Sequence, residues 1–291
     1  RKYANTDFCA VAVTDGNHGR SLAWGARLFG VKCLIYLPNV VSASREKAIA
    51  DFGAEIVRID ANYDETFARV KRDATENGWS LIQDISTPDY MLCHQRIMEG
   101  YTLMAEEMVQ QLKGTAPSHV FLQVGCGGMA AAIMSYFIEV WGEDAPKFVL
   151  LESINAASTL ESLRLGKSVL VGGDHETIMV GIAVGETSYL PWLLFKPYAH
   201  SALAISDGYA AEAMRISANG IGDDPSFVSG ETGACGLGAL LALQEHPEAA
   251  EKLGLGPDSS ILLINSEGDT DPDMYKKITE QTEAEAEAVM A

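Results

Sequence analysis

Short apolar segments alternate regularly with longer segments of helical character through the first part of this chain, and this alternation limits the possible folds more than any other property. Strands are predicted over Phe8–Thr14, Cys33–Leu37, Glu55–Ile59 and Ser80–Gln83, and helices over His18–Phe29, Ser42–Phe52 and Tyr63–Asn77. Elements in this order and at this spacing are typical of a parallel β-sheet that is covered by helices on both faces.

The remainder of the chain predicts a second α/β region with longer loops. Its elements are a helix around His94–Leu112, a strand at Val120–Val124, a helix from about Met129, a strand at Phe148–Glu152, a helix capped by Asp207 that reaches Ala218, a helix at Thr232–Gln244 and a strand at Ile261–Ile264. Residues 156–202 mix short helices with loops, and residues 280–291 predict a solvated helix or a frayed end. We therefore expect an α/β protein of two lobes, residues 1–95 and 96–291, with a ligand cleft at the carboxyl ends of the strands.

The composition fits a globular protein and excludes several classes of partner. The formal net charge of the 291 residues is −19, which disfavours nucleic acid and anionic membranes as partners. The uncharged run 120–138 is long enough to be considered for a membrane span, but Gln123 and the glycines after it favour a strand, a turn and a helix instead. Five cysteines without a CxxC pair indicate reduced thiols, as in the cytoplasm, and the six histidines show no metal-ligand spacing.

The segment Thr14–Arg20, with the sequence TDGNHGR, lies between the first predicted strand and the first predicted helix. Its two glycines allow a tight turn with positive φ, and the N-terminus of a helix offers backbone N–H groups to an anion. Taken alone, the segment favours an ordinary turn in which Asp15 and Asn17 only cap the helix. A ligand-binding role depends on the other motifs of the chain.

Three further segments place glycine, hydroxyl or acidic side chains beside predicted strands and helices: Gln123–Met129 (QVGCGGM), Ser229–Leu237 (SGETGACGL) and Leu262–Asp271 (LLINSEGDTD). The first would let successive N–H groups surround a phosphate, although it lacks the lysine of a P-loop. The second would pack closely against a flat ligand or against another helix, and the third would present Ser266 at the end of a buried strand. Each segment alone is also explained by packing or by turn formation.

Together and in this order, the segments resemble the fold-type II enzymes of pyridoxal 5′-phosphate (PLP), the group that contains threonine dehydratase and the tryptophan synthase β subunit. Within this group the motifs are most similar to those of the diaminopropionate ammonia-lyases. The similarity rests on the Asp-Gly-Asn turn, on the continuation Glu267–Pro272 (EGDTDP) and on Thr177–Glu186 (TIMVGIAVGE). It covers essentially the whole chain and implies a two-lobed, tryptophan synthase β-like fold in which the larger lobe, residues 96–291, binds the cofactor.

The resemblance also implies a cofactor site and two acidic catalytic residues. Asn17 would bind the ring hydroxyl of pyridoxal 5′-phosphate, and Ser266 would face the pyridine nitrogen. The phosphate would be held by Gly125, Cys126, Gly127, Gly128 and Met129. Asp15 would take the α-proton of one substrate enantiomer, and Asp84 would serve the other enantiomer or bind the substrate's amine. The implied reaction is elimination of ammonia from the amino acid 2,3-diaminopropionate, giving pyruvate, in a cytoplasmic homodimer.

Two departures of the sequence from the family pattern bear on its function. The lysine that would bind the cofactor covalently is expected a few dozen residues before the Asp-Gly-Asn turn, but only 14 residues precede Asp15, and Lys2 flanks the wrong strand. We expect the chain to be part of a longer enzyme and to be inactive alone; the alternative is a shortened homologue with a binding or regulatory role. The segment after Asp84 lacks the Trp-Glu-Gly run expected for the lyase, which keeps open a serine/threonine dehydratase-like or β-replacement reaction.

Overall fold

The computed structural model describes residues 7–14, 16–39, 41–61 and 63–280 and divides into two compact units. Unit 1 is Arg1–Asp84 and unit 2 is Ile85–Ala291. The division precedes the boundary expected near residue 95, because helix α4 (Leu92–Gln111), which includes that residue, packs along helix α5 (Gly128–Trp141) of unit 2. The predicted helical tail, residues 281–291, lies outside the described residues.

Unit 1 consists of one parallel sheet and its helices. Its elements are β1 (Cys9–Val13), α1 (Asn17–Phe29), β2 (Lys32–Leu37), α2 (Ala43–Ala50), β3 (Glu55–Arg58), α3 (Tyr63–Asn77) and β4 (Ser80–Leu81). The strands lie in the order β3-β2-β1-β4 and all pairs are parallel. Every strand and helix that the alternation predicted is present, with slightly different ends. The Ser42 side chain accepts a hydrogen bond from the Arg45 N–H at 3.3 Å and caps α2.

The two faces of this sheet carry separate cores. On one face Ile35 of β2 packs with Ile49 of α2, and on the other face Val11 of β1 packs with Val70 of α3. All residues of β1 are buried, as a central strand of a parallel sheet requires. Each fully buried aliphatic side chain of this size contributes about 1.5–3 kcal/mol to folding. These cores fix the end of β1, where the Asp-Gly-Asn turn begins.

Unit 2 contains a second parallel sheet with the order β7-β6-β5-β8. In addition to α4 and α5, its elements are β5 (His119–Gln123), β6 (Lys147–Ser153), α6 (Ser158–Leu165), α7 (Tyr189–Tyr198), β7 (Ser201–Ile205), α8 (Asp207–Asn219), α9 (Cys235–Glu245), α10 (Pro247–Leu253), β8 (Ile261–Leu263) and α11 (Pro272–Glu280). Leu122 of β5 packs with Ile133 and Phe137 of α5 on one face, and Phe121 packs with Ala239 of α9 on the other. The α/β class and the fold of parallel sheets with helices are therefore confirmed.

The run 120–138 forms the end of β5, a glycine turn and most of α5, as the sequence indicated. Within the described parts of the chain, no helix is both long and apolar enough to cross a bilayer. The region 156–202, predicted as short helices mixed with loops, forms α6, α7 and the start of β7, and this strand was not predicted.

Asp207 does not cap α8 as expected. Ser206 occupies the N-cap position and Asp207 is the first helical residue. The Asp207 carboxylate instead accepts hydrogen bonds from the Thr177 hydroxyl and, at 2.9 Å, from the Ile178 N–H. These tertiary partners replace the local capping bond and attach the segment Thr177–Glu186 to the beginning of α8.

Candidate functional site

The loop Gly125–Met129 connects the carboxyl end of β5 to the start of α5. Gly127 is the N-cap residue with φ 95°, and no side chain caps this helix within the described structure. The first N–H groups of α5 are therefore available to an anion, which the helix dipole also favours. Cys126 and Met129 are half-buried. The local geometry is suited to a phosphate, as the sequence predicted for this loop.

The three glycines of this loop are each enclosed by a different part of unit 2. A Cβ atom on Gly125 would lie 2.9 Å from the Gly181 carbonyl oxygen, and one on Gly127 would lie 2.7 Å from the Pro191 Cβ atom. A Cβ atom on Gly128 would lie 2.6 Å from the His94 Nε2 atom. Real Cβ atoms do not approach other atoms so closely, so only glycine fits at each position.

The Ser266 hydroxyl lies just after β8 and is exposed. The Gln123 Nε2 atom, at the end of the adjacent strand β5, donates hydrogen bonds to the Ser266 Oγ atom at 2.7 Å and to the Ile264 carbonyl at 2.8 Å. Because Ser266 accepts here, its own proton is free to be donated outwards to an acceptor such as a ring nitrogen. The buried Gln123 Oε1 atom has no hydrogen-bond partner among the described residues. Ser266 was a candidate from the sequence, whereas no sequence signal indicated the amide that orients it.

The glycine-rich segment Ser229–Leu237 is a packing element that supports the motif after β8. The buried Glu267 carboxylate accepts hydrogen bonds from the Thr232 N–H at 2.8 Å and from the Thr270 hydroxyl at 3.0 Å. A Cβ atom on Gly233 would lie 2.5 Å from the Asn265 Oδ1 atom. Close packing against neighbouring protein, which the sequence left as an alternative for this segment, therefore accounts for its small residues.

The segment Thr177–Glu186 packs against the loop Gly125–Met129 at Gly125. The Gly181 N–H donates to the Thr232 hydroxyl at 3.1 Å, while the Gly181 carbonyl faces Gly125. The Asp207 contacts described above hold the segment at Thr177 and Ile178, and the bond to Thr232 holds it at Gly181. The motif that contributed to the family resemblance thus lies beside the phosphate loop.

In unit 1, Thr14 organises the turn that precedes α1. Its hydroxyl accepts hydrogen bonds from the Gly16 N–H at 3.0 Å and the Gly19 N–H at 3.3 Å. Gly16 has φ 169°, which is extended backbone, so the expected positive φ is not present. Gly19 is required for another reason, since a Cβ atom there would lie 2.4 Å from the Thr14 Cγ2 atom. Asn17 is the first residue of α1 and is exposed rather than capping.

Of the two predicted acidic residues, Asp15 lies outside the described residues and Asp84 is half-buried after β4. The buried Gln83 side chain accepts from the Val13 N–H at 3.2 Å and donates to the Val13 carbonyl at 2.9 Å. Its Nε2 atom also lies 3.3 Å from the Asp84 Oδ1 atom. Gln83 therefore ties Asp84 to the end of β1, a function that no local sequence signal identified.

Two buried ionisable groups near the site have structural environments. The Glu152 carboxylate accepts from the Thr159 N–H at 2.7 Å and the Leu160 N–H at 2.8 Å, which completes the N-terminus of α6. Burial raises the pKa of Glu152 above its ordinary value. Burial likewise raises the pKa of Cys235 to about 12, so this thiol stays protonated and unreactive. In the described portion of the chain, no group of His, Cys, Asp and Glu side chains could hold a metal ion.

Comparison with known proteins gives consistent matches over most of the chain. The family model described as pyridoxal-phosphate dependent enzyme matches residues 6–267. The chain is 38% identical over 270 residues to the diaminopropionate ammonia-lyase of Escherichia coli strain K12, covering 91% of this chain and 68% of that protein. It is 37% identical over 281 residues to the diaminopropionate ammonia-lyase of Salmonella typhimurium strain LT2, covering 94% of this chain and 70% of that protein.

A solved structure is similar over the same extent. It is the crystal structure of selenomethionine-incorporated holo diaminopropionate ammonia lyase from Escherichia coli, which matches with a TM-score of 0.89 and 36% identity. The match covers 96% of this chain and 72% of that chain.

Proposed function

Because the chain belongs to the family of pyridoxal-phosphate dependent enzymes, we propose that it eliminates ammonia from 2,3-diaminopropionate. With one water, each substrate molecule would give one pyruvate and two molecules of ammonia. The observation that carries the proposal is the 38% identity to a diaminopropionate ammonia-lyase over 91% of the chain. The geometry of each unit supports it independently.

The residues of unit 2 fit the phosphate and the ring nitrogen of pyridoxal 5′-phosphate. The loop Gly125–Met129 carries no side chain at its three enclosed glycines and leads to the uncapped N–H groups of α5, which suit a phosphate. The outward proton of Ser266 suits a ring nitrogen that accepts a hydrogen bond. A neutral hydroxyl forces no proton onto that nitrogen, which favours elimination over transamination. We assign the ring hydroxyl of the cofactor to the exposed Asn17.

The acid–base work is assigned to the two aspartates of unit 1. When bound, the cofactor supplies an electron-withdrawing ring that stabilises negative charge at the substrate's α-carbon. Asp15 would accept the α-proton of one enantiomer, and Asp84 would serve the other enantiomer or bind an ammonium group of the substrate. The contact between Gln83 and the Asp84 Oδ1 atom at 3.3 Å supports this, because a general base must be held in one orientation.

The charge of the substrate suits two carboxylates. 2,3-Diaminopropionate carries two ammonium groups and one carboxylate, so a site with two aspartates attracts it more than a zwitterionic amino acid such as serine. The formal net charge of −19 also attracts such a cation toward the protein. This preference supports the ammonia-lyase over a serine or threonine dehydratase.

The direct test is pyruvate release from the D and L enantiomers of 2,3-diaminopropionate, measured on the protein translated from the complete gene. We expect Asp15→Asn to lose about 10²–10⁴-fold in kcat with one enantiomer and Asp84→Asn to lose a similar factor with the other. Asp51→Asn is the matched control, since Asp51 is an exposed carboxylate paired with Lys47 at 2.6 Å on α2. It should leave both rates unchanged.

Other outcomes would replace this function by a different one. Turnover of serine or threonine without turnover of diaminopropionate would identify a dehydratase on the same scaffold. A protein that binds no pyridoxal 5′-phosphate, shown by the absence of its visible absorbance after dialysis, would be a cofactor-free binding or regulatory homologue.

We further propose that the enzyme is a cytoplasmic homodimer. The resemblance to the ammonia-lyases supports the assembly, and the five cysteines, none of which forms a disulfide in the described structure, support a reducing compartment. Light scattering coupled to size-exclusion chromatography would give twice the chain mass if the proposal is correct, whereas a monomer mass would contradict it.

A further inference from the structure

Ser86 connects the segment before α4 to the beginning of α7 through main-chain and side-chain hydrogen bonds. Its N–H donates to the Ser188 Oγ atom at 3.2 Å, and its carbonyl accepts from the Tyr189 N–H at 3.1 Å. Its hydroxyl accepts from the Leu190 N–H at 3.0 Å. Ser86 and Ser188 are both buried, so these bonds lie in a region of low dielectric where they hold position strongly.

His94, in the first turn of α4, joins this network to the phosphate loop. The side chain is fully buried, and its Nδ1 atom lies 3.0 Å from the Ser86 Oγ atom. The opposite edge of the ring meets Gly128, where a Cβ atom would lie only 2.6 Å from the Nε2 atom. The imidazole is therefore a rigid spacer between Ser86 and the first residue of α5.

The beginning of α7 holds the same loop from another direction. The Ser188 N–H donates to the Cys126 carbonyl at 3.1 Å. Pro191 and Phe195 of α7 enclose Gly127. Ser86 thus hydrogen-bonds both groups that contact the loop Gly125–Met129, namely His94 and the first residues of α7. A change at Ser86 would move both.

We propose that Ser86 and His94 are positioning residues that fix the direction of the N–H groups of loop Gly125–Met129 toward the phosphate of pyridoxal 5′-phosphate. The inference rests on the proposed function for the identity of the ligand. Neither residue touches the phosphate in this assignment; both act through the loop backbone. Neither lies in a motif that carried the family resemblance.

The test compares the binding of pyridoxal 5′-phosphate with that of pyridoxal, which lacks the phosphate, by equilibrium dialysis. Ser86→Ala removes the hydroxyl that meets both His94 and Leu190, and we expect it to raise the Kd of pyridoxal 5′-phosphate about tenfold. The Kd of pyridoxal should change by less than about twofold, because in this proposal the loop binds the cofactor through its phosphate, which pyridoxal lacks. A variant that only destabilises the fold would raise the Kd of both ligands by the same factor.

The chain offers a matched control in Ser118 and the buried His119. The Ser118 Oγ atom lies 2.8 Å from the His119 Nδ1 atom, a second serine–histidine pair at the opposite end of β5, in which the serine is exposed. Ser118→Ala should leave both affinities unchanged. If Ser86→Ala does not fold, His94→Asn serves instead, because asparagine keeps a polar atom near Ser86 but withdraws the ring from Gly128.

Amide hydrogen exchange gives a second measurement that needs no cofactor. In the ligand-free protein, Ser86→Ala should accelerate exchange at residues 125–129 about tenfold, while Ser118→Ala should not. Unchanged exchange, or equal weakening of both ligands, would overturn the positioning role. Failure of the unaltered protein to bind pyridoxal 5′-phosphate would instead refute the proposed function, and exchange would then decide alone whether the network holds the loop.

Discussion

The Gln83 side chain continues the sheet of unit 1 beyond the point where strand pairing ends. Strand β4 pairs with β1 only at Ala10–Ser80 and Val11–Leu81, and the Ile82 N–H donates to the Val11 carbonyl. The side-chain amide of Gln83 then hydrogen-bonds both the N–H and the carbonyl of Val13, which is completely buried. Replacing this amide should therefore break the edge of the sheet next to the Asp-Gly-Asn turn.

The substitution Gln83→Met tests this, because methionine has a similar length and shape but no hydrogen-bonding amide. It would leave the buried N–H and carbonyl of Val13 unpaired, and each unpaired group costs about 1–3 kcal/mol. Allowing for partial relaxation at the strand end, we expect the free energy of unfolding to fall by about 3 kcal/mol. Urea unfolding followed by circular dichroism gives this value, and exchange of the Val13 amide locates it.

The control is Gln110→Met on α4, where the exposed glutamine side chain donates to Glu106 at 2.7 Å. It should change the free energy of unfolding by less than about 0.5 kcal/mol. Equal stability of the two variants, or an unchanged exchange rate at Val13, would refute the assignment of Gln83 as the partner of this strand end.

Three further perturbations have defined outcomes. Because burial holds the pKa of Glu152 above its ordinary value, the native state binds this proton more tightly than the unfolded state, and the resulting stabilisation is lost as pH rises through the native pKa. The unfolding free energy of the unaltered protein minus that of Glu152→Gln should therefore fall as pH rises above about 4, the ordinary range of a glutamate, in urea titrations, and a rise would contradict this. Pyridoxal 5′-phosphate at ten times its Kd should slow alkylation of the half-buried Cys126 about tenfold but leave the alkylation rate of the half-buried Cys93 unchanged, as followed by mass spectrometry. Equal slowing at both cysteines would contradict binding of the cofactor at the loop Gly125–Met129. Gly127 has φ 95° and lies against a proline of α7, so Gly127→Ala should lower the free energy of thermal unfolding by about 3 kcal/mol. Gly25 lies on α1 with open space around it, so Gly25→Ala should raise this free energy by about 0.5–1 kcal/mol. Equal effects of the two substitutions would show that the loop is not enclosed.

The sequence predicts the first unit well because its signals are local. Apolar strands such as Cys33–Leu37 alternate with helices whose ends carry capping residues such as Ser42, and these patterns need no knowledge of distant contacts. The region 156–202 was predicted no further than as short helices mixed with loops, because its local signals are weak. Strand β7 is only partly buried, and α7 contains Pro191 and Pro197, so neither shows the periodicity of its class.

The candidate site divides in the same way. The sequence could offer Ser266 and the glycines of loop Gly125–Met129 as candidates because they follow strands in recognisable motifs, and their roles stay predictions. Gln83 was missed because its partner Val13 is 70 residues away, and Gln123 was missed because it meets Ser266 across 143 residues. Polar side chains that orient other residues act through tertiary contacts, and single-sequence patterns do not contain these contacts.

The enclosure of the three glycines between β5 and α5 affects how descendants of this sequence can diverge. A methyl group at Gly125, Gly127 or Gly128 meets protein atoms whether or not a ligand is present. Purifying selection on folding alone would therefore preserve them in a lineage that had abandoned catalysis. In such pseudoenzymes the glycine motif would persist because of packing alone, and drift would first erase the solvent-facing Asn17, whose side chain does not cap α1.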